Sequence, residues 1–212
     1  RSDTEREIEP ILGVSLDSKD RQEVLKMTMG FITQALLIGR QARNTLKIIV
    51  TPNPEIVYRA MLDEAYSKVL NKADLNIMDG IGLVWAKKFL KLENKTKNPL
   101  MLSLEAIVCA WDVLFNSTNE RYPGRMLFED LIIEAKTRGL KVYLLGGEGE
   151  TAEKVTQKLS SRYKDLKIEY SSGPWLNLQG EPVDKAQEEI ENKAIVKINK
   201  FRPDLLFVAF GP

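Results

Sequence analysis

The chain has 212 residues, with 31 lysines and arginines against 30 aspartates and glutamates. That balance excludes a global positive field for nucleic acid and the acidic excess of a disordered chain, so any anion site must be local. The absence of histidine removes the commonest general base and zinc ligand, and with it serine–histidine and cysteine–histidine catalysis. The length suits one large α/β domain, or two small ones, with a core that needs no cross-links. Cys109 is the only cysteine; it cannot form an internal disulfide, which fits a reducing compartment. Lying in an apolar run, it reads as a small buried hydrophobe and not as a nucleophile. The opening RSDTEREIEP is polar and charged without the apolar core of a signal peptide, so a cytoplasmic location is expected.

In chain order, strands are expected at 11–16 (ILGVSL), 45–50 (TLKIIV), 75–78 (LNIM), 141–147 (KVYLLGG), 167–170 (KIEY) and 205–210 (LLFVAF). Helical patterns separate them. Over 54–73, Ile56, Ala60, Leu62, Tyr66, Val69 and Leu70 recur every three or four residues, and Pro54 suits a first turn. Strands alternating with helices predict an α/β fold: a Rossmann-like, mostly parallel sheet with helices on both faces, in a single domain over 1–212. Sites in such folds gather at the carboxyl ends of the strands. An inserted helical segment around 91–119 interrupts the alternation. Its apolar run 100–115 is short for a membrane span and carries Glu105 and Asp112. It reads as a packed helix, or as an interfacial or oligomer-forming one. The closing PDLLFVAFGP is a strand pattern reaching a Gly-Pro turn, beyond which further chain is expected.

Three strand ends carry groups suited to chemistry. In VTPNPE, Thr51 and Asn53 supply a hydroxyl and an amide before a helix, either as ordinary caps or as a hydrogen-bonding edge for a sugar. In MDGIG, Asp79 precedes Gly80 and Gly82; it is a turn residue or, facing the crevice, a carboxylate able to take a proton from an attacking hydroxyl. In KVYLLGGEGETAEKV, Gly147, Gly149 and Ala152 satisfy the GxGxxA dinucleotide pattern, and Glu169 follows in the next strand. Glu148 and Glu150 sit inside that turn and would repel a pyrophosphate, which disfavours NAD and leaves some other nucleotide. The chain has neither a GxxxxGK[ST] loop nor a DxD pair, so a departing diphosphate needs an arginine or backbone amides. Arg121 in NERYPGRMLFEDL is the chosen cation and Arg125 the reserve; either could equally be a solvated surface residue.

Taken in order, TPNPEIV, NIMDGIGLVWA, ERYPG, VYLLGG and RPDLLFVAFGP resemble the WecG/TagA/CpsF family of bacterial glycosyltransferases. The similarity runs from about Ile11 to Pro212 apart from 91–119, where this chain is longer than the family's link. The resemblance implies transfer of an N-acetylmannosamine-type sugar, or its uronic acid, from a UDP donor to N-acetylglucosamine on undecaprenyl diphosphate, in teichoic acid, common antigen or capsule synthesis. It implies Asp79 as the base on the acceptor hydroxyl, Thr51, Asn53 and Arg121 as substrate-binding residues, and Gly146, Gly147 and Gly211 as nucleotide-binding ones. No metal or other cofactor is implied, and the displacement would be single and inverting. The family's KQE-type motif and basic C-terminal segment, absent after FGP here, imply a membrane-docking segment in the full-length protein, at the inner face of the cell membrane. The alternatives are an NAD(P)-linked oxidoreductase built on the 141–170 pattern, or a noncatalytic sugar-nucleotide-binding domain. A homo-oligomer through the 100–115 run and contact of that run with the lipid acceptor both stay open.

Overall fold

The structure is a computed structural model that describes residues 8–38, 46–93, 98–116 and 122–210. The chain divides into two compact units, 1–128 and 129–212. Both contain parallel strand pairs between helices, and the fold is α/β.

In the first unit, the expected strand 11–16 is two strands. β1 (Ile8–Ile11) and β2 (Val14–Asp17) pair antiparallel with Ile11 opposite Val14. The residues between them, Leu12 at φ 49° and Gly13 at φ 84°, are both left-handed, the twist that a two-residue hairpin loop requires. Glycine adopts this freely, whereas a residue with a Cβ gives up roughly 1–2 kcal/mol. Asn71 clamps the turn: its Nδ2 donates to Gly13 O at 2.9 Å and its Oδ1 accepts from Ser15 N at 2.8 Å. After α1 (Arg21–Ile38) come the short parallel strands β3 (Ile49–Val50) and β4 (Leu75–Asn76). They are shorter than the expected 45–50 and 75–78, and Thr45 lies outside the described residues. A parallel bridge between Asp17 and Ile77 sets β2 along the other side of β4. Asp17 is buried and accepts Asn76 N at 2.7 Å, while Asn76 Nδ2 donates to Ser15 O and Leu70 O.

The helical stretch 54–73 is broken into α2 (Pro54–Leu62) and α3 (Glu64–Asn71). Asp63 is the break, at φ −128° and ψ 104°. Its N–H closes α2 on Arg59 O, and its carboxylate accepts from Ala65 N and Tyr66 N to open α3, so a capping residue outweighs continuous apolar spacing. Val57 and Ala60 of α2, Leu70 of α3 and Leu83 bury against Val14 and Leu16 of the hairpin.

α4 (Ile81–Glu93) and α5 (Pro99–Asn116) follow, so the segment expected to interrupt the alternation begins in the last turn of α4. α5 packs on α4. Trp85 Nε1 donates to Ala106 O at 3.2 Å, Lys88 pairs with Asp112 at 2.8 Å, and Val84, Cys109 and Val113 form a small buried cluster. No helix among the described residues is long and apolar enough to cross a membrane.

The division of the chain falls within α6 (Gly124–Arg138). The second unit continues with β5 (Lys141–Gly146), α7 (Thr151–Arg162), β6 (Lys167–Ser171), α8 (Lys185–Phe201) and β7 (Leu205–Ala209). Its sheet has the order β6-β5-β7, all parallel. From β5 the chain crosses to β6 on one side and then returns past β5 to β7. Right-handed crossovers therefore put α7 and α8 on opposite faces. β5 bears this out, because successive residues Val142, Tyr143 and Leu144 are all buried, as a strand covered on both faces requires. Asp204 pins the start of this sheet by exchanging bonds with Lys141: N to O at 2.8 Å and Lys141 N to Oδ2 at 2.9 Å.

Two outcomes follow from these placements. Leu12→Asn puts a residue that tolerates left-handed backbone at an exposed turn position, and should raise the unfolding free energy by about 1 kcal/mol in urea titration; an unchanged or lower midpoint would contradict the turn. Burial pushes the Cys109 thiol up, with Lys88 opposing and Asp112 adding to the shift. A thiol held protonated is a poor nucleophile, so Ellman's reagent should label Cys109 promptly in denaturant and only at the rate of opening in the folded protein.

Candidate active site

In the first unit, three loops converge on one carboxylate. The first leaves β3 through Thr51, the buried Pro52, and Asn53. Asn53 is the N-cap of α2, with φ −101° and ψ 174°, and its Oδ1 accepts from Ile56 N at 2.9 Å. Pro54 follows in the first turn, where its missing N–H costs nothing. The second loop leaves β4 through Ile77, Met78 and Asp79. It stays in register with the first: Ile77 N donates to Val50 O and Asp79 N to Pro52 O, both at 2.9 Å. The parallel ladder therefore outlasts the two strands and delivers Asp79 beside the Thr51 loop.

The glycines after Asp79 now have specific reasons. Gly80 sits at φ 104°, which a side chain resists. Gly82 lies so close to Pro54 that an added Cβ would be 3.0 Å from its Cγ; the start of α4 can approach α2 only because that atom is missing.

The third loop brings Gly124, the first residue of α6. Its N–H donates to Asp79 Oδ2 at 3.2 Å. A Cβ on Gly124 would be 2.9 Å from Thr51 Oγ1 and 3.2 Å from Asp79 Oδ2, so both the hydroxyl and the carboxylate crowd the space that a side chain there would need. One oxygen of Asp79 is thus oriented by a helix-opening amide, a group that favours negative charge. The half-buried carboxylate can accept a proton from a hydroxyl brought to its other oxygen.

Of the residues singled out in the sequence, Thr51 and Asp79 come together here. Asn53 is a cap through its oxygen, which leaves its amide nitrogen as the donor for anything else. Arg121 and Gly211 lie outside the described residues. Arg125 is exposed in the first turn of α6. Gly124, the glycine of the ERYPG stretch, holds Asp79, a contact that sequence reasoning missed; its signal is a glycine opening a helix immediately after YP.

The second unit places Gly146 and Gly147 at the carboxyl end of β5. Gly146, at φ 96°, leaves no room for a side chain: an added Cβ would be 2.4 Å from Ala209 O. Gly147, at φ 84°, donates its N–H to that same oxygen at 2.7 Å. Gly149 is also left-handed, and the turn runs into α7, where Thr151 Oγ1 closes on Glu148 O at 2.6 Å. Glu150 pairs with Lys154 at 3.0 Å. Glu169, the acidic partner that a dinucleotide reading would use, lies mid-strand in β6 opposite Tyr143, and not beyond the strand's end where a ribose is held.

Comparison with known proteins bears on this arrangement. The model of a family described as Glycosyl transferase WecG/TagA/CpsF family matches residues 10–107 and 105–212. The chain is 28% identical over 201 residues to a Staphylococcus aureus (strain NCTC 8325 / PS 47) protein named N-acetylglucosaminyldiphosphoundecaprenol N-acetyl-beta-D-mannosaminyltransferase. The protein of the same name from S. aureus strain COL is equally similar. Each alignment covers 95% of this chain and 62% of the relative, so the chain spans less than two thirds of the length of the curated relatives it matches.

Gly124→Ala should lower stability by about 1–3 kcal/mol, the usual cost of overpacking, measured by urea denaturation. In a Thr51→Ala background the nearest obstructing oxygen is gone, and the cost should shrink by at least about 0.5 kcal/mol. Strict additivity of the two changes would show that Gly124 does not press on Thr51.

Proposed function

The chain belongs to the WecG/TagA/CpsF family of glycosyl transferases, and on that premise we propose that it transfers an N-acetylmannosamine-type sugar from a UDP donor to N-acetylglucosamine carried on undecaprenyl diphosphate. The observation that carries the reading is the held carboxylate: Asp79 Oδ2 bound by Gly124 N beside the Thr51 hydroxyl. In the proposed step the acceptor hydroxyl gives its proton to Asp79 as its oxygen attacks the anomeric carbon. The bond from that carbon to the diphosphate oxygen breaks, its electron pair leaves with UDP, and the configuration inverts. The Thr51 hydroxyl and the Asn53 amide nitrogen form the edge that holds a sugar. Gly146, Gly147 and Gly211 let the nucleotide approach backbone. Without a DxD pair in the sequence, the leaving charge falls to Arg121 and backbone amides, independently of a metal ion. A lipid-linked acceptor would bring the reaction to the inner face of the cell membrane.

Asp79→Asn keeps an oxygen for the Gly124 amide but cannot take a proton. It should lower kcat by about 10²–10⁴-fold while leaving the KM for donor nearly unchanged, measured as UDP release in the presence of lipid-linked acceptor. Normal turnover in that variant would remove Asp79 from the role. Calorimetric titration in EDTA should show binding of UDP and not of NAD; the reverse preference would favour an oxidoreductase.

A further inference from the structure

α5 is apolar on both sides, and among the described residues only one side is packed. Its inward face meets α4 through Cys109, Val113 and the Asp112–Lys88 pair. On its outward face Leu100, Leu104, Ile107, Trp111 and Leu114 are all more than half exposed. Their spacing is four, three, four, three, the a/d repeat by which one helix seats along another. A second row, one residue on, ends in Phe115, which stacks on Trp111 at 5.0 Å.

A helix apolar all round is ordinarily buried all round, and monomers rarely expose apolar patches above roughly 300–600 Å². Eight large side chains of α5, each more than half exposed, make on the order of 800 Å², about what one partner contributes to a standard interface. Charge separates the candidate occupants. Helices that lie on anionic membranes carry Lys and Arg along a solvated polar face; α5 has neither residue, and its only two acids, Glu105 and Asp112, are half-buried on the inward side. An uncharged stripe with helix-pairing periodicity is self-complementary, because a two-fold axis brings the same stripe against itself with no like charges opposed. The two matched pieces of the family model overlap at 105–107, in the middle of this face.

We propose that the outward face of α5 is the dimer interface of this protein, packed antiparallel against α5 of a second copy around Ile107. The assembly follows from the apolar stripe alone and holds whatever reaction the chain performs.

Sedimentation equilibrium of the 212-residue chain from about 1 to 100 µM, the weak end of the affinities that interfaces of this size span, should give a dimer. Ile107→Glu and Ile107→Lys should each sediment as monomers with unfolding midpoints close to the parent, since Ile107 is exposed in a single copy. Mixed in equal amounts, the two should recover a dimer as opposite charges meet across the axis. A chain monomeric throughout this range, or variants that remain dimeric, would overturn the proposal. So would a monomeric parent that pellets with phosphatidylcholine–phosphatidylglycerol vesicles through a contact abolished by Ile107→Glu, which would assign the face to lipid.

Discussion

The arrangement of the first unit hangs on a backbone ladder that does not stop where its strands stop. β3 and β4 are only two residues each, yet Ile77 N to Val50 O and Asp79 N to Pro52 O carry the pairing on into both loops. Neighbouring strands lie about 4.8 Å apart, so this extension sets the distance between the Thr51 and Asp79 loops before any side chain is considered. Beneath it lies a buried polar network in which Asp17 receives the Asn76 amide, and the Asn76 side chain ties Ser15 and Leu70. Such networks fix a unique arrangement because a mispaired alternative strands polar groups away from water. The hairpin thereby helps to fix where β4, and the Asp79 loop that follows it, stand.

α4 links that cluster to a different part of the same unit. At its entry Gly82 leaves little room for a side chain against Pro54, while its later turns offer Val84, Trp85 and Lys88 to α5. One helix therefore has two faces with separate obligations, which accounts for the mixture of small, aromatic and charged residues along it. Trp85 shows the compromise: its ring stacks on Phe89 at 5.0 Å and its N–H reaches a carbonyl of the neighbouring helix, so the only polar atom of the side chain is satisfied at a largely apolar contact.

Much of this was legible in the sequence. The alternation of apolar runs and helical spacing identified the α/β class, and β5, β6 and β7 fall within a residue or so of their expected bounds; β5, the central strand, is the continuous apolar run that a strand covered on both faces needs. Asp79 and Thr51, singled out from their position at strand ends, both lie against Gly124. What was hidden follows from local chemistry outweighing periodicity. ILGVSL looks like one strand, and only the conformations of Leu12 and Gly13 fold it back on itself. The spacing over 54–73 looks like one helix, and the doubly capping Asp63 divides it. Gly124 was visible as the glycine of ERYPG, but not the two side chains that crowd it, since these come from segments far away in the sequence.

The glycine turn after β5 has an implication for how this protein can vary. Gly147 N–H is held by a main-chain carbonyl, Ala209 O, against which Gly146 also lies, and Thr151 Oγ1 closes the turn on Glu148 O. The frame of the turn thus owes nothing to the carboxylates of Glu148 and Glu150, which carry its charge and are on exposed residues. Substitution at those two positions can reset the electrostatic character of the turn without altering its shape.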